Sequence, residues 1–467
     1  MPQARRQRDD LTTLCQSVRF LVPCAVAALG SGCTSPPLPP PLPAPPTSIV
    51  ARVDSLLLPL VADSVLSGSI LIAHDGRIVF AKGYGAADRE HGIPNAPGTL
   101  FRIGSVTKPF TAIAIMQLRD AGRLELDAAL SGYLPGFPHA DSITIRQLLS
   151  HTSGLPSYNW TLADNRPQEL GTVVNWIGEL RQTSAPGEEY QYSNSGYVLL
   201  ARIIERASGK HYIEFIRENI LARRGMGNTG LYAMDAPPAG MAQGYSRTEY
   251  GGFSRADRPS PLGRGDGDLY SNVFDLFRFS RALVEGDLIS RDSWGRMLTP
   301  GLGTYGLGWH IGESCGERVI YHPGDVLGYH ANLQVFPERR TTVVSIFNTD
   351  FLLSTLVERE LAAIALGRPW RRILQDGDIP SEAPIARFVG EYGLDSSSTF
   401  TLSLEGGRLY FQESGKARCW ARPFSDNGVY IAELNARITF EESSGGEARY
   451  TGLFGLFLVT GRRVRSR

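Results

Sequence analysis

Strand-forming runs stand at both ends of a long helical middle, and that placement fixes the class of fold open to the chain. Ile70-Leu71-Ile72-Ala73 and Ile78-Val79-Phe80 flank His74-Asp75-Gly76, a pattern that reads as two strands joined by a tight Asp-Gly turn. A helical lead-in over 49–66 precedes them. In the middle, Leu199-Leu200 and Ile203-Ile204 repeat at helical spacing up to Gly209, a residue suited to the left-handed position that ends a helix. Strands return between Leu307 and Phe347, as in Arg318-Val319-Ile320 and Thr342-Val343-Val344-Ser345-Ile346, and an apolar helix closes the segment over 352–366. Helices enclosed by strands predict an α+β architecture: one antiparallel sheet shared by the two ends, flanked by helices and carrying a helical subdomain. Past Gly377, short alternating runs at 399–404, 408–411 and 437–440 are separated by turn residues, which predicts a small all-β barrel.

The first 47 residues follow other rules. Arg5, Arg6, Arg8 and Arg19 precede an apolar stretch over 20–29, and Gly30-Ser31-Gly32-Cys33 follows it, the layout of a signal peptide. The small residues before Cys33 resemble a bacterial lipobox, with Leu29 one place further from the cysteine than that pattern has it. Plain cleavage and an uncleaved anchor are the alternatives to acylation. Asp9 and Asp10 follow Arg5-Arg6 where a twin-arginine signal would turn apolar, which argues against that route. Between positions 36 and 46, eight of eleven residues are proline, which holds the chain in an extended polyproline helix. We expect a lipoprotein-type signal peptide over 1–33, a proline-rich linker over 34–47, and an exported protein of the periplasm or cell envelope, attached to the membrane by lipid at Cys33.

Basic and acidic residues number 47 each, so no net positive field exists to hold a phosphate backbone, and nucleic acid is not an expected partner. Only four of the basic residues are lysines: Lys82, Lys108, Lys210 and Lys416. Cys315 and Cys419 match no zinc or redox spacing, and two packed free thiols are favoured over a bridge. No metal or cofactor is expected.

Lysine scarcity draws attention to Ser105-Val106-Thr107-Lys108, which opens an apolar helix ending at Gly122. Residues three apart share a helix face. The dipole and unpaired N–H groups of a helix N-terminus disfavour a charged lysine there, and a serine beside a neutral amine is an activated nucleophile. Arginine cannot lose its proton and could not substitute. The competing reading is an N-cap serine with a surface lysine. Tyr192-Ser193-Asn194 precedes another helix, where a tyrosine can shuttle protons and an asparagine can hold a carbonyl or an amine. Tyr270-Ser271-Asn272 repeats the letters, but Asp275 three residues on makes that copy a helix cap. His322-Pro323-Gly324 ends a strand, where a cation would face a cleft and glycine lets the backbone approach a substrate. His151 has no second histidine or acid at ligand spacing and reads as structural.

In their order and spacing, Ser-x-x-Lys, Tyr-x-Asn and His-x-Gly resemble the serine β-lactamase and penicillin-binding protein family, in particular its class C-like branch of aminopeptidases, carboxypeptidases and esterases. Leu148-Leu149-Ser150-His151-Thr152-Ser153-Gly154-Leu155, Gly306-Leu307-Gly308-Trp309 and Gly328 resemble that branch too. The segment beginning Phe388-Val389-Gly390-Glu391-Tyr392 is similar to the lipocalin-like β-domain fused to such enzymes. The resemblance implies a hydrolase domain over 48–370 and a barrel domain over 384–467. It implies Ser105 as acylated nucleophile, Lys108 as its base, Tyr192 as proton donor to the leaving group and Asn194 as substrate-orienting residue. His322 and Gly324 would line the substrate strand, and the N–H groups of Ser105 and Asp325 would form the oxyanion hole. His322 stands where many members have the lysine of Lys-Thr-Gly, and with an ordinary pKa of about 6.5 it is mostly neutral at pH 7 and cannot compensate as lysine would. The Asp325 side chain is expected to point toward the place where β-lactams and D-Ala-D-Ala peptides put a carboxylate, favouring neutral or amine-bearing substrates. The expected activity is hydrolysis of a small ester or peptide amide. The alternatives are a β-lactamase or D-Ala-D-Ala carboxypeptidase, and a non-catalytic cell-wall binding protein.

Overall fold

The runs on either side of Asp75-Gly76 form the hairpin β1 (Gly68–His74) and β2 (Arg77–Tyr84). Both turn residues sit at positive φ, 48° and 72°, as the twist of a two-residue hairpin requires. The returning strands are β3 (His310–Ser314), β4 (Glu317–Val326), β5 (Tyr329–Phe336) and β6 (Thr341–Phe347). The sheet runs β3-β4-β5-β6-β1-β2, and every neighbouring pair is antiparallel. The Gly68↔Phe347 pairing joins its two ends as the sequence predicts. These relations come from a computed structural model that describes residues 48–62, 64–158, 169–233, 236–247, 253–256, 264–349, 354–370, 383–393, 399–416, 418–431, 434, 436–442, 447–454 and 457–465. The signal-type segment, Cys33 and the proline run lie outside the described residues.

The helices that bear on the site are α1 (Ile49–Ala62), α2 (Thr107–Asp120), α3 (Ile145–Leu149), α4 (Asn194–Ser208), α5 (Val273–Glu285) and α6 (Ser354–Ala365). Strand alternation divides their packing between two cores. Leu71, Leu333, Val344 and Ile346 face a core built around α2. Ile70, Ile72, Val343 and Phe347 face a second core closed by α1 and α6. Because α2 is buried from Thr107 through Met116, it is a core helix rather than an amphipathic surface one. Gly209, at φ 74°, terminates α4 as expected. Asn272 accepts the Asp275 N–H at 2.9 Å, so the second Tyr-Ser-Asn copy is the cap of α5. The lead-in helix stops at Ala62 rather than Leu66. Ser64 takes a left-handed φ of 56°, and the N–H groups of Val65 and Leu66 both turn back to the Leu60 carbonyl, at 2.7 and 3.1 Å.

The C-terminal runs form a closed eight-stranded barrel: β7 (Gly390–Gly393), β8 (Thr399–Glu405), β9 (Arg408–Glu413), β10 (Cys419–Ser425), β11 (Gly428–Ile431), β12 (Ala436–Glu442), β13 (Ala448–Phe454) and β14 (Phe457–Arg465). Pairing of β7 with β14 completes the ring. Alternate residues point inward, and the rings of Phe388, Tyr392, Phe400, Phe411, Phe440 and Tyr450 pack on one another with centroids 4.8–5.8 Å apart. Tyr430 of β11 is fully buried in the core that α1 and α6 close. Cys315 and Cys419 form no disulfide.

Candidate active site

The chain enters α2 through a tight turn, Gly104–Val106, that places Ser105 beside the helix start. Two glycines let the end of β4 close on this turn. A Cβ on Gly324 would lie 2.0 Å from the Ile103 oxygen and 2.9 Å from the Ser105 nitrogen, and one on Gly104 would lie 2.9 Å from the Asp325 nitrogen. The backbone N–H groups of Ser105 and Asp325 are thereby carried on adjoining stretches of chain. Gly308, at φ 87°, permits a similar approach to the other side of α2, where a Cβ would lie 2.4 Å from that of Ala112.

Lys108 is fully buried, and its Nζ meets three oxygens: Ser105 Oγ at 3.0 Å, Asn194 Oδ1 at 2.8 Å and the Asp266 carbonyl at 2.7 Å. An ammonium donates to all three. A free amine has two N–H bonds for the two carbonyl oxygens, and its lone pair then faces the serine hydroxyl, which becomes the donor. Burial favours the free amine by pushing the lysine pKa down, against a partial opposing pull from Asp266 and Asp268. Burial likewise pushes the Asp266 carboxyl up. Tyr192, carried just ahead of α4, has its phenol beside Ser105, and its ring centroid lies 4.9 Å from Lys108 Nζ. Burial raises its pKa well above 10, so it remains a phenol with a proton to give. A hydroxyl aligned on an amine lone pair, a phenol beside it and two convergent N–H groups can together attack a carbonyl, receive the oxyanion and protonate a leaving group.

The structure brings together Ser105, Lys108, Tyr192, Asn194, Gly324 and the backbone of Asp325; it agrees with a neutral His322 and revises the direction of the Asp325 side chain. His322 is no cation. Its Nδ1 lies 2.6 Å from the Pro323 carbonyl, which can only accept, so Nδ1 carries the proton and Nε2 accepts from the Tyr305 hydroxyl at 2.9 Å. Burial, then the neighbouring His310 and Lys108, hold its pKa well below 6.5. The Asp325 side chain does not point toward the substrate strand's reactive face. Gly324 faces Ser105, so alternation sends Asp325 to the opposite face, where its Oδ1 accepts from His330 Nδ1 at 2.6 Å. His330 Nε2 donates in turn to Glu358 of α6 at 2.6 Å.

Sequence reading singled out neither Asp266 nor the place of His151. The Gly265-Asp266-Gly267-Asp268 run carried a signal in its paired acids, but nothing local tied it to Lys108, 158 residues away. His151 is 1 % exposed and packs its ring on that of Tyr192, with centroids 4.2 Å apart.

Fold and site define an α+β serine hydrolase, with a buried lysine amine against a serine hydroxyl. Residues 53–367 match the family model described as Beta-lactamase, and the chain belongs to that family. It is 30 % identical over 405 residues to penicillin-binding protein 4* of Bacillus subtilis (strain 168), a match covering 80 % of this chain and 90 % of that protein. Among solved structures, the octameric penicillin-binding protein homologue from Pyrococcus abyssi superposes with a TM-score of 0.65 at 26 % identity, covering 88 % of this chain and 99 % of the other. A D-stereospecific amidohydrolase from Streptomyces superposes with a TM-score of 0.58 at 25 % identity, covering 64 % and 94 %.

Proposed function

We propose that the protein is an exported hydrolase that acts through an acyl-enzyme at Ser105 on small esters or peptide amides. The observation that carries this reading is the Lys108 amine, buried and held by two carbonyl oxygens so that its lone pair meets the Ser105 hydroxyl. Lys108 takes the Ser105 proton as Oγ bonds to the substrate carbonyl carbon, and the N–H groups of Ser105 and Asp325 receive the oxyanion. Collapse breaks the bond to the leaving group, which takes the Tyr192 proton. Proton return from Lys108 to Tyr192 resets the pair, and water then releases the acyl group with the same residues reversing roles.

Substrates without a carboxylate fit this site best, because the position that resembles the Lys-Thr-Gly lysine holds a neutral imidazole with both nitrogens engaged. The likeness to a D-stereospecific amidohydrolase supports an amide among the substrates. The likeness to penicillin-binding protein 4* favours the second reading, a β-lactam or D-Ala-D-Ala substrate. A fluorophosphonate probe should label the wild type and leave Ser105→Ala unlabelled; equal labelling removes Ser105 from the mechanism. The two readings separate on kcat/KM for a neutral p-nitrophenyl ester, a D-amino acid anilide and a chromogenic cephalosporin, with the cephalosporin expected to be poorest. The arginines, apolar stretch and Gly32-Cys33 of the first segment support export with lipid at Cys33. Cys33→Ser should then release the protein from bacterial membranes or block its processing, and wild type found wholly soluble overturns the anchor.

A further inference from the structure

His151 stands directly after the C-cap of α3 at φ 58°, a left-handed conformation that side chains with a Cβ rarely adopt. From there it holds both neighbours of Tyr192. Its carbonyl accepts the Gln191 N–H at 2.8 Å, and its ring Nδ1 accepts the Ser193 N–H at 3.1 Å. Its ring lies against the Tyr192 ring at an interplanar angle of 36°. The loop continues the same contact with the segment ahead of Tyr192, since the Thr152 carbonyl accepts from Gly187 and the Gly154 carbonyl from Thr183.

We propose that His151 is a positioning residue that fixes the Tyr192 phenol on Ser105. The inference rests on the reading of Tyr192 as the acid–base group. A rotatable phenol must be held on two sides to stay within hydrogen-bond reach of one hydroxyl, and His151 supplies a clamp on the backbone and a wall on the ring. Because Nδ1 accepts a backbone N–H, the neutral ring carries its proton on Nε2. That atom is buried without a hydrogen-bond partner, and the rings of Tyr197 and Tyr305 pack on the imidazole with their centroids 5.1 and 4.6 Å from its own. A core histidine kept only for packing would be replaceable by an aromatic ring; leaving a buried donor unpaired is a cost that the Nδ1 acceptor explains. The groups facing the ring are Tyr190, Tyr192, Tyr197 and Tyr305, with Lys108 and His310 near enough to disfavour its protonation, after burial. A charged imidazolium would set an N–H against the Ser193 N–H and release the clamp.

The test is a double-mutant cycle on ester hydrolysis with His151→Phe, Tyr192→Phe and the pair, with thermal unfolding of each. Phenylalanine keeps the ring wall and removes the acceptor. His151→Phe should lower kcat by about 10-fold or more with KM changed by less than about threefold, while Tyr192→Phe costs about 100-fold. In the Tyr192→Phe background the His151 substitution should cost less than about twofold, because a residue acting through the phenol has nothing left to position. His151→Asn, which tolerates the left-handed backbone and offers an oxygen acceptor, should recover part of the loss; His151→Gly, which takes the same backbone and removes ring and acceptor, replaces His151→Phe in the cycle if that variant fails to fold. Equal cost in both backgrounds, with Tyr192→Phe slow, overturns this inference alone. Tyr192→Phe at the wild-type rate overturns the reading of Tyr192 and this inference with it.

Discussion

Lys108 is one of four lysines in a chain whose basic residues are otherwise arginine, and its surroundings explain why arginine does not serve there. The mechanism proposed above needs an amine that can lose a proton, and an arginine guanidinium keeps its charge throughout the working pH range. Lys108→Arg should therefore leave the protein folded and reduce ester hydrolysis to background; hydrolysis near the wild-type rate would remove Lys108 as the base. The same amine sets the pH dependence. Its folded pKa is lowered by burial, so the free base appears on raising the pH through a value well below the ordinary lysine pKa of about 10.4. The acid limb of kcat/KM should lie in that lowered range, and a profile that climbs only near pH 10 would contradict the geometry. Replacing Asp266 by Asn should move this limb further down, since Asp266 is among the groups that pull the lysine pKa back up.

Between elements, the charge cluster under the sheet joins what the oxyanion strand needs held. Asp325 of β4 and His330 of β5 are paired residues of the ladder, and Glu358 of α6 completes the line, with Asn332 donating to it at 2.7 Å. Both His330 nitrogens face carboxylate oxygens, so both carry protons and the ring is an imidazolium. Burial alone would lower its pKa; Asp325 and Glu358 raise it well above 6.5. The stabilisation is therefore complete below about pH 6.5, where the unfolded histidine is also charged, and it is lost as pH rises through the raised folded value. His330→Gln, which leaves Glu358 buried without its cation, should cost about 3–5 kcal/mol at neutral pH. Thermal unfolding across pH should show the gap from wild type narrowing in alkali, and a gap that widens there would sink the assignment. The residues of this cluster also mark where sequence reading stops. Ser105, Lys108 and the hairpin were legible because helix and strand periods place i and i+3, or i and i+2, without knowledge of partners. The face taken by Asp325 was within reach of the same alternation once Gly324 was assigned to Ser105. The neutrality of His322 at pH 7 was also legible, from an ordinary histidine pKa of about 6.5; its tautomer was not, because that depends on Tyr305 and on a backbone carbonyl whose direction no local pattern gives. The Asp266 carbonyl at Lys108 is likewise a contact made by tertiary folding alone.

At the scale of the whole chain, the barrel behaves as a solid body attached to the hydrolase fold. Its strands alternate inward and outward as the sequence suggested, but the inward positions are filled by stacked rings, which gives it a packed core where a lipocalin keeps a ligand cavity. Among the described residues, Phe424 of β10 and Tyr430 of β11 join it to the core that α1 and α6 close. Tyr430 is fully buried in the core that also holds Val53, Leu57, Val357 and Leu361, and Phe424 packs on the same core. These are the helices α1 and α6 that cover the back of the sheet, on the side away from Ser105. Through Tyr430 the barrel shares the core that α6 also closes, and none of its described residues belongs to the core built around α2. Truncating a buried aromatic ring costs about 3–5 kcal/mol, so Tyr430→Ala should lower the thermal midpoint by several degrees and expose the barrel junction to limited proteolysis. Ester kcat at 25 °C should stay within about twofold of wild type, since no catalytic group lies on that face. An unchanged midpoint would show that the two bodies do not depend on this contact, and a large loss of kcat with the midpoint preserved would place the barrel in the catalytic machinery instead.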